Sequence, residues 1–211
     1  MFCSEAHKIS FFKQLRDFMQ VNIKQIFGEF NHGYALDKHS LYSTPIGENE
    51  HGHMQFDTKR TEAGEAVFQL KYRDDQNAVH PLAKAVADHI VPKIPSFGLI
   101  VPMPASNPRP SQPVTSVAKA LGTLLNKPVF DNMLVKAPGG TSLKNLETRA
   151  EKDAALANQI RLYPAITAMG RWNVLLLDDL YHSGASLDAA CRVLRTYAKI
   201  ADIYVATLTW R

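Results

Sequence analysis

The chain has 211 residues, of which 45% are hydrophobic and 21% are charged. A chain of this length and composition buries a sizeable core as one domain with at most a small addition, which excludes disorder over its whole length. Its 24 Lys and Arg residues against 20 Asp and Glu residues give a formal net charge of +4 without a long basic run. So mild an excess suits an anionic substrate as well as a nucleic acid, and nucleic-acid binding is not favoured.

Cysteine content and hydropathy indicate the compartment. Cys3 and Cys191 are too few for a disulfide framework or a four-thiolate zinc site. No run of about 18 apolar residues occurs, and the N-terminus lacks a basic stretch followed by an apolar run and a cleavage site. We therefore expect a cytoplasmic protein with no membrane partner. Helical spacing places Cys191 on a buried helix face, which favours an inert core thiol.

The first half of the chain changes its pattern twice. Apolar residues at three- and four-residue steps from Lys8 to Phe27, with Gly28 after them, predict an amphipathic helix whose aromatic face is core or a dimer contact. From Gly33 to Asp57, apolar stretches interrupted by Pro, Gly and Asn predict short strands or irregular loops. Helical spacing returns from Ala63 to Leu70 and from Val79 to Ile90.

Beyond residue 95, predicted strands and helices alternate. The strands are Phe97 to Met103, Val129 to Val135, Val174 to Leu177 and Ile203 to Trp210, and the helices are Pro113 to Leu125, Glu147 to Ala157 and Leu187 to Ala198. Continuous apolar strands alternating with amphipathic helices predict an α/β fold with a central, mostly parallel sheet and helices on both faces. We predict a small N-terminal helix and hood over 1–61 and the α/β domain over 62–211.

The most informative segment runs from Val174 to Ser186 and reads VLLLDDLYHSGAS. An apolar strand ends there in Asp178 and Asp179, and a short loop with Gly184 leads into a helix. Ligands of open α/β sheets bind outside the carboxyl ends of the strands, so this loop marks a ligand site. N–H groups near the helix start suit a phosphate, and the two carboxylates suit adjacent ribose hydroxyls. A phosphorylated sugar would be held by His182, Ser183, Gly184, Ala185 and Ser186.

A purely structural interpretation of the same segment is also available. In that interpretation, Asp178 and Asp179 merely end a strand and cap the next helix. The complete order of strand, acidic pair, loop and helix favours the ligand site instead. The chain contains neither the Walker signature nor a G-x-G-x-x-G loop, so a standard nucleotide-binding fold is not indicated.

The same residues resemble a motif of a known protein family. The apolar strand, the acidic pair and the loop ending in Ser-Gly-Ala-Ser at 183–186 resemble the motif that binds phosphoribosyl pyrophosphate (PRPP) in type I phosphoribosyltransferases. The sequences LKYRD at 70–74, LIVPMP at 99–104 and LETR at 146–149 are similar to elements of the ComF-like competence family. This chain lacks that family's N-terminal four-cysteine zinc module and most of its basic segment, and serines replace both loop threonines.

The resemblance implies a glycosyltransferase of nucleotide metabolism. It would move phosphoribose from PRPP to a nitrogen of a nucleobase-like acceptor, release pyrophosphate and require Mg²⁺. Asp178 and Asp179 would hold the ribose and, through water, the Mg²⁺. The loop from Pro102 to Ser106 would contact pyrophosphate, with Met103, Pro104 and Ala105 as its substrate-binding residues, and residues 137–152 would form a mobile lid. Because negative charge develops on the leaving group, cations are needed beside it. The candidates beside the leaving group are Arg109, Lys144, Arg149 and Lys152, and the first three are predicted as catalytic residues.

Several alternatives stay open at this stage. A protein of this fold could sense PRPP or a nucleotide without transferring anything, or could serve DNA uptake as an accessory protein. A homodimer is a further possibility, through the N-terminal aromatic face. His39, His51 and His53, with Asp37, could ligate zinc, although polar loop residues or a hood that recognises the acceptor are the preferred interpretation.

Overall fold

The centre of the fold is a five-stranded sheet. The computed structural model describes residues 19–105, 111–136 and 160–211. The strands of the central sheet are β1 (Lys24–Gln25), β2 (His32–Lys38), β5 (Leu99–Pro102), β8 (Trp172–Tyr181) and β9 (Ile200–Trp210). They lie in the order β1-β2-β9-β8-β5, and every neighbouring pair is parallel except β1 with β2. The predicted α/β fold with a mostly parallel central sheet is confirmed.

The helices of the described residues cover both faces of this sheet, as predicted. They are α1 (Glu62–Arg73), α2 (Val79–His89), α3 (Pro113–Leu125) and α4 (Ala185–Arg195). Helices α1 to α3 share one apolar core with Leu175 and Leu177 of β8, whereas α4 packs on the other face with Val174 and Leu176. Because alternate residues of a strand point to opposite faces, a strand covered on both sides is apolar throughout.

The remaining strands form two hairpin-like pairs outside the central sheet. Strands β3 (Ser40–Glu48) and β4 (Met54–Arg60) pair antiparallel, and so do β6 (Leu134–Lys136) and β7 (Ile160–Leu162). The region predicted as short strands or irregular loops therefore contains most of β2 and then the β3–β4 hairpin, whose register shifts between Ser40 and Tyr42 and between Pro45 and Gly47. The second pair packs on the α4 side of the central sheet, where Leu134 and Ile160 join the buried core.

The helix predicted up to Phe27 is wrong over residues 19–27. Lys24–Gln25 is a strand that pairs with Tyr34 and Ala35 of β2, and residues 1–18 lie outside the described residues. The apolar side chains here serve an extended segment that packs on both cores, with Ile23 against one and Ile26 in the other. Over residues 19–27, a three- to four-residue apolar spacing therefore occurs without a helix.

Two further predictions in the second half have different outcomes. The strand predicted from Val129 to Val135 is shorter, because Val129 makes only an isolated bridge with Ile100 and regular pairing begins at Leu134. The helix predicted from Glu147 to Ala157 lies outside the described residues. The predicted division after residue 61 stays a prediction, and β1 and β2, which precede it, pair within the central sheet.

Cys191 lies buried in α4, and burial raises the pKa of its thiol to about 12. These surroundings agree with the prediction of an inert core thiol.

Across residues 19–105, 111–136 and 160–211, no helix combines the length and the apolar character needed to cross a membrane.

Candidate functional site

The acidic pair lies at the carboxyl edge of the central sheet. Asp178 and Asp179 belong to β8, a turn follows, and α4 begins at Ala185. Gly184 has a φ of 80°, a left-handed conformation that glycine adopts without steric cost. The N-cap residue of α4 is Gly184, which has no side chain to cap the helix. Ser183 Oγ accepts a hydrogen bond of 3.5 Å from the N–H of Ala185, and the next N–H groups of the first turn have no partner within the helix.

A second loop meets this one from the neighbouring strand. Strands β5 and β8 are parallel neighbours, with Pro102 beside Leu177. The N–H of Met103 donates a hydrogen bond of 2.8 Å to the carbonyl oxygen of Leu177. The loop after β5 is thereby fixed beside the acidic pair, as expected for consecutive strand ends of a parallel sheet.

Two adjoining cavities occupy this edge. The first has a volume of about 230 Å³, the second has a volume of about 330 Å³, and both are lined by Met103, Pro104, Asp178 and Asp179. The remaining lining residues of the first cavity are Lys136, Ile160, Leu180, His182, Ser183, Gly184, Ala185, Ser186 and Leu187. The remaining lining residues of the second cavity are Lys71, Tyr72, Ala105, Gln112, Pro113, Val114 and Thr115.

The structure therefore brings the predicted substrate-binding residues to one place. The residues predicted from β8 to Ser186, together with Met103 and Pro104, line the first cavity, and Ala105 lines the second. Their roles stay predictions. The predicted catalytic cations Arg109, Lys144 and Arg149 lie outside the described residues, as does the predicted lid over 137–152.

Lys71 is a site residue that no sequence pattern predicted. Its ammonium group forms an ion pair with the carboxylate of Asp179, although the two residues are 108 positions apart in the chain. One sequence feature could have indicated the position of Lys71. The apolar stripe of α1 ends at Leu70, so the next residue, Lys71, lies at the border of the buried helix face. That signal places Lys71 near the sheet but does not reveal its partner.

The two carboxylates influence each other strongly. Asp178 Oδ1 accepts a hydrogen bond of 2.8 Å from the backbone N–H of Asp179. Burial and the negative charge of Asp179 raise the pKa of Asp178 from its usual 3.8 to about 7, although that hydrogen bond and Lys71 oppose the increase. A ligand that supplies hydrogen-bond donors or positive charge here would relieve this repulsion.

This raised pKa predicts how stability depends on pH. A carboxyl whose folded-state pKa lies above its unfolded value stabilises the fold fully below about pH 4, and that contribution is lost as the pH rises through about 7. Asp178→Asn cannot ionise, so its Tm advantage over wild type should grow between pH 5 and pH 8. With about 2 to 4 °C per kcal/mol for a chain of this size, we expect several degrees by thermal denaturation.

The matched control is Asp202→Asn at the opposite edge of the sheet. Asp202 is exposed and accepts a hydrogen bond of 2.9 Å from the Asn31 side chain. Its Tm difference from wild type should be the same at both pH values. A constant difference for Asp178→Asn as well would contradict the raised pKa.

His39 is connected to the acidic pair through Thr209. Its Nδ1 is 3.2 Å from the hydroxyl of Thr209, and that hydroxyl donates a 2.8 Å hydrogen bond to the carbonyl oxygen of Asp179. Burial and then the positive charges of Arg211 and Arg60 lower the pKa of His39. His39 is therefore a neutral polar contact that links the start of the β3–β4 hairpin to the carboxyl end of β8.

The other two histidines are far from His39 along the hairpin. The β3–β4 register pairs Ser40 with Arg60 at one end and Glu48 with Met54 at the other, and His51 and His53 lie in the turn beyond that second end. Among the described residues, no group of three or more His, Cys, Asp or Glu side chains could hold a metal ion. The zinc interpretation of these histidines is therefore wrong.

Comparison with known proteins gives only distant similarities. No protein-family model matches the chain, and no curated protein matches its sequence. Among solved structures, an adenine phosphoribosyltransferase from Thermoanaerobacter pseudethanolicus is 14% identical, with a TM-score of 0.44 over 80% of this chain and 95% of that one. The Trypanosoma brucei adenine phosphoribosyltransferase, in complex with AMP, pyrophosphate and ribose-5-phosphate, is 10% identical, with a TM-score of 0.45 over 89% and 74%. Another adenine phosphoribosyltransferase is 15% identical, with a TM-score of 0.41 over 81% and 86%. What this chain does has to be inferred from its own site.

Proposed function

We propose that this protein binds PRPP and transfers its phosphoribosyl group to a nitrogen nucleophile, with release of pyrophosphate. The observation that carries the proposal is the pair of cavities that share the carboxylates of Asp178 and Asp179. PRPP has the corresponding order of groups, with a phosphate at one end, a ribose with adjacent hydroxyls in the middle and pyrophosphate at the other end. The phosphate, the ribose and the pyrophosphate of PRPP would then each lie against cavity residues of suitable chemistry.

The first cavity suits the 5′-phosphate. It lies at the N-terminus of α4, where N–H groups and the helix dipole favour an anion. Ser183 and Ser186 are exposed there and add hydroxyl donors, and the absence of a side chain at Gly184 permits close approach of the backbone.

The shared wall suits the ribose. The carboxylates of Asp178 and Asp179 can accept hydrogen bonds from the two adjacent hydroxyls, and such charge-assisted bonds contribute more than neutral ones. Donation from the hydroxyls would also offset the repulsion that raises the pKa of Asp178. The binding of a neutral diol is therefore favourable at a site where two carboxylates are otherwise close to one another.

Magnesium fits this site only together with the ligand. In the described part of the chain, no three acidic, His or Cys groups cluster into a metal site, and Mg²⁺ is commonly held by one or two carboxylates, substrate phosphates and water. Asp178 and Asp179 would hold it through water. When bound, Mg²⁺ would offset the charge that develops on pyrophosphate.

The second cavity suits the pyrophosphate. It adjoins the acidic pair and is lined by the loop after β5 and by Gln112 and Thr115. In the reaction, the acceptor nitrogen bonds to the anomeric carbon while the bond from that carbon to pyrophosphate breaks, and the nitrogen loses its proton to solvent. Arg109, Lys144 and Arg149 remain the proposed cations beside the leaving group. Membership of the ComF-like family and a cytoplasmic location remain expectations from the sequence.

The decisive experiment combines binding with turnover. PRPP with Mg²⁺ at about 100 times its Kd should stabilise the protein by about 2.7 kcal/mol and raise the Tm by roughly 5 to 10 °C. Pyrophosphate release should then appear with one member of a panel of nitrogenous bases. Binding without release from any base would indicate a sensor, whereas salt-dependent binding to single-stranded DNA without PRPP affinity would indicate the accessory role.

A further inference from the structure

Lys71 lies between the acidic wall and the second cavity. Its ammonium group pairs with Asp179, and its side chain also lines the cavity where we place pyrophosphate. The side chains of Lys71 and Asp179 are 32% and 17% exposed, so water still reaches the pair. Such a partly exposed ion pair contributes little net stability, and its lysine can change partner without leaving an isolated charge deep in the core.

The backbone of Lys71 is fixed by the capping and packing of α1, whereas its long side chain extends away from the helix. Thr61 caps α1 by accepting a 3.0 Å hydrogen bond from the N–H of Gly64, and its hydroxyl donates to the carbonyl oxygen of Lys38 at 2.6 Å. Leu70, the preceding residue, is buried in the core. The lysine ammonium is therefore a point charge on a long stem that extends from a fixed backbone position.

The surrounding charges favour Lys71 as the cation for an anionic ligand. Among the described residues that line the second cavity, Lys71 alone carries a positive charge, against the two carboxylates. Arg60 is nearby but is held by Glu65 at 3.4 Å and by the ring of Phe68 at 3.8 Å. His39 is kept neutral by burial and by neighbouring arginines, which lower its pKa.

We infer that Lys71 is a ligand-binding residue that exchanges partners: it pairs with Asp179 until pyrophosphate enters the second cavity, and then binds the pyrophosphate. The inference rests on the proposed function. The exchange would have a second effect, because it releases the carboxylate of Asp179 to accept a hydrogen bond from the ribose. Occupation of the second cavity would thus prepare the shared wall for the sugar.

Separate titrations of the two ends of the ligand test this inference. We propose calorimetric titration of inorganic pyrophosphate and of ribose 5-phosphate, both with MgCl₂, into wild type, Lys71→Met and Lys71→Arg. Lys71→Met should weaken pyrophosphate binding about tenfold or more, because one charge-assisted contact is lost. Its affinity for ribose 5-phosphate should fall much less, and Lys71→Arg, which keeps the charge, should lose less pyrophosphate affinity than Lys71→Met.

Two further variants control for effects on the fold. Lys84→Met removes a comparable lysine that pairs with Asp88 at 2.6 Å on α2, away from both cavities, and should bind both probes as wild type does. Lys71→Met leaves Asp179 without its cation, so the double variant Lys71→Met/Asp179→Asn removes both charges. A loss of pyrophosphate affinity that persists in the double variant would exclude repulsion by an unpaired Asp179 as its cause.

The outcomes separate this inference from the proposed function. Normal pyrophosphate binding by Lys71→Met would overturn the inference alone. An equal loss of both probes would also overturn it, because Lys71 would then serve only to position Asp179. If wild type bound neither probe, the proposed function and this inference would both be overturned.

Discussion

Gly184→Val should abolish binding of ribose 5-phosphate while the central sheet remains folded. A Cβ at this position would lie 3.2 Å from Cε2 of the Tyr181 ring, and the φ of Gly184 is +80°. Because Gly184 lines the first cavity, we expect the branched side chain of valine, packed against the Tyr181 ring, to hinder the approach of a phosphate to the backbone. We expect at least about a 100-fold loss of affinity, which corresponds to about 2.7 kcal/mol.

The same substitution should reduce stability by a smaller amount. A left-handed conformation costs a residue with a side chain about 1 to 2 kcal/mol, and small domains have about 5 to 15 kcal/mol of stability. Gly184→Val should therefore fold with a lower Tm. Calorimetric titration and thermal denaturation on the same preparation separate the two effects.

Gly170→Val is the matched control for this backbone cost. Gly170 has a φ of +92°, and among the described residues other than its two chain neighbours, no heavy atom lies within 4 Å of a Cβ built on it. This residue does not line either cavity, so its variant should lose stability but bind ribose 5-phosphate as wild type does. Equal losses of affinity in both variants would show that the loop at Gly184 is a structural turn only.

The part of the site that follows β8 could be predicted because it is continuous in the chain. The apolar run from Val174 to Leu177 identifies a buried parallel strand, and the strand must end at the carboxyl edge, where Asp178 and Asp179 follow. The turn at Gly184 and the stripe of α4 then fix the loop between them. Local sequence therefore contains all the information that this half of the site requires.

The rest of the fold and of the site depends on contacts between distant parts of the chain. Strand β2 pairs with β9, so that His32 lies beside Tyr204, and no local pattern indicates this register. The pairing also explains why the segment around Lys24 is a strand, because β2 offers it a free edge of the sheet. Lys71 reaches Asp179 only because α1 packs on the same sheet, and this depends on tertiary packing that periodicity does not specify.

Asp178→Asn and Asp179→Asn should each weaken PRPP binding while leaving the fold intact. Loss of one charge-assisted hydrogen bond to a ribose hydroxyl should cost about 1.5 to 3 kcal/mol, or roughly 10- to 150-fold in Kd. The two substitutions should affect different neighbouring groups. Asp179→Asn also releases Lys71, whereas Asp178→Asn keeps an oxygen that can accept the 2.8 Å hydrogen bond from the N–H of Asp179.

Opposite effects on binding and stability in the same variant would identify these carboxylates as functional. Asp178→Asn removes a carboxyl whose pKa is raised by burial and by Asp179, so at pH 8 it should be more stable than wild type and yet bind PRPP less tightly. A residue that only ends a strand and caps a helix would lose stability instead. The measurement is a calorimetric titration with PRPP and Mg²⁺ beside a thermal denaturation. The control is exposed Asp202→Asn, which should bind PRPP as wild type does and whose Tm difference from wild type should not depend on pH. Wild-type affinity in both Asp178→Asn and Asp179→Asn would exclude the shared wall as the ribose site and would leave the two cavities without the residues that join them.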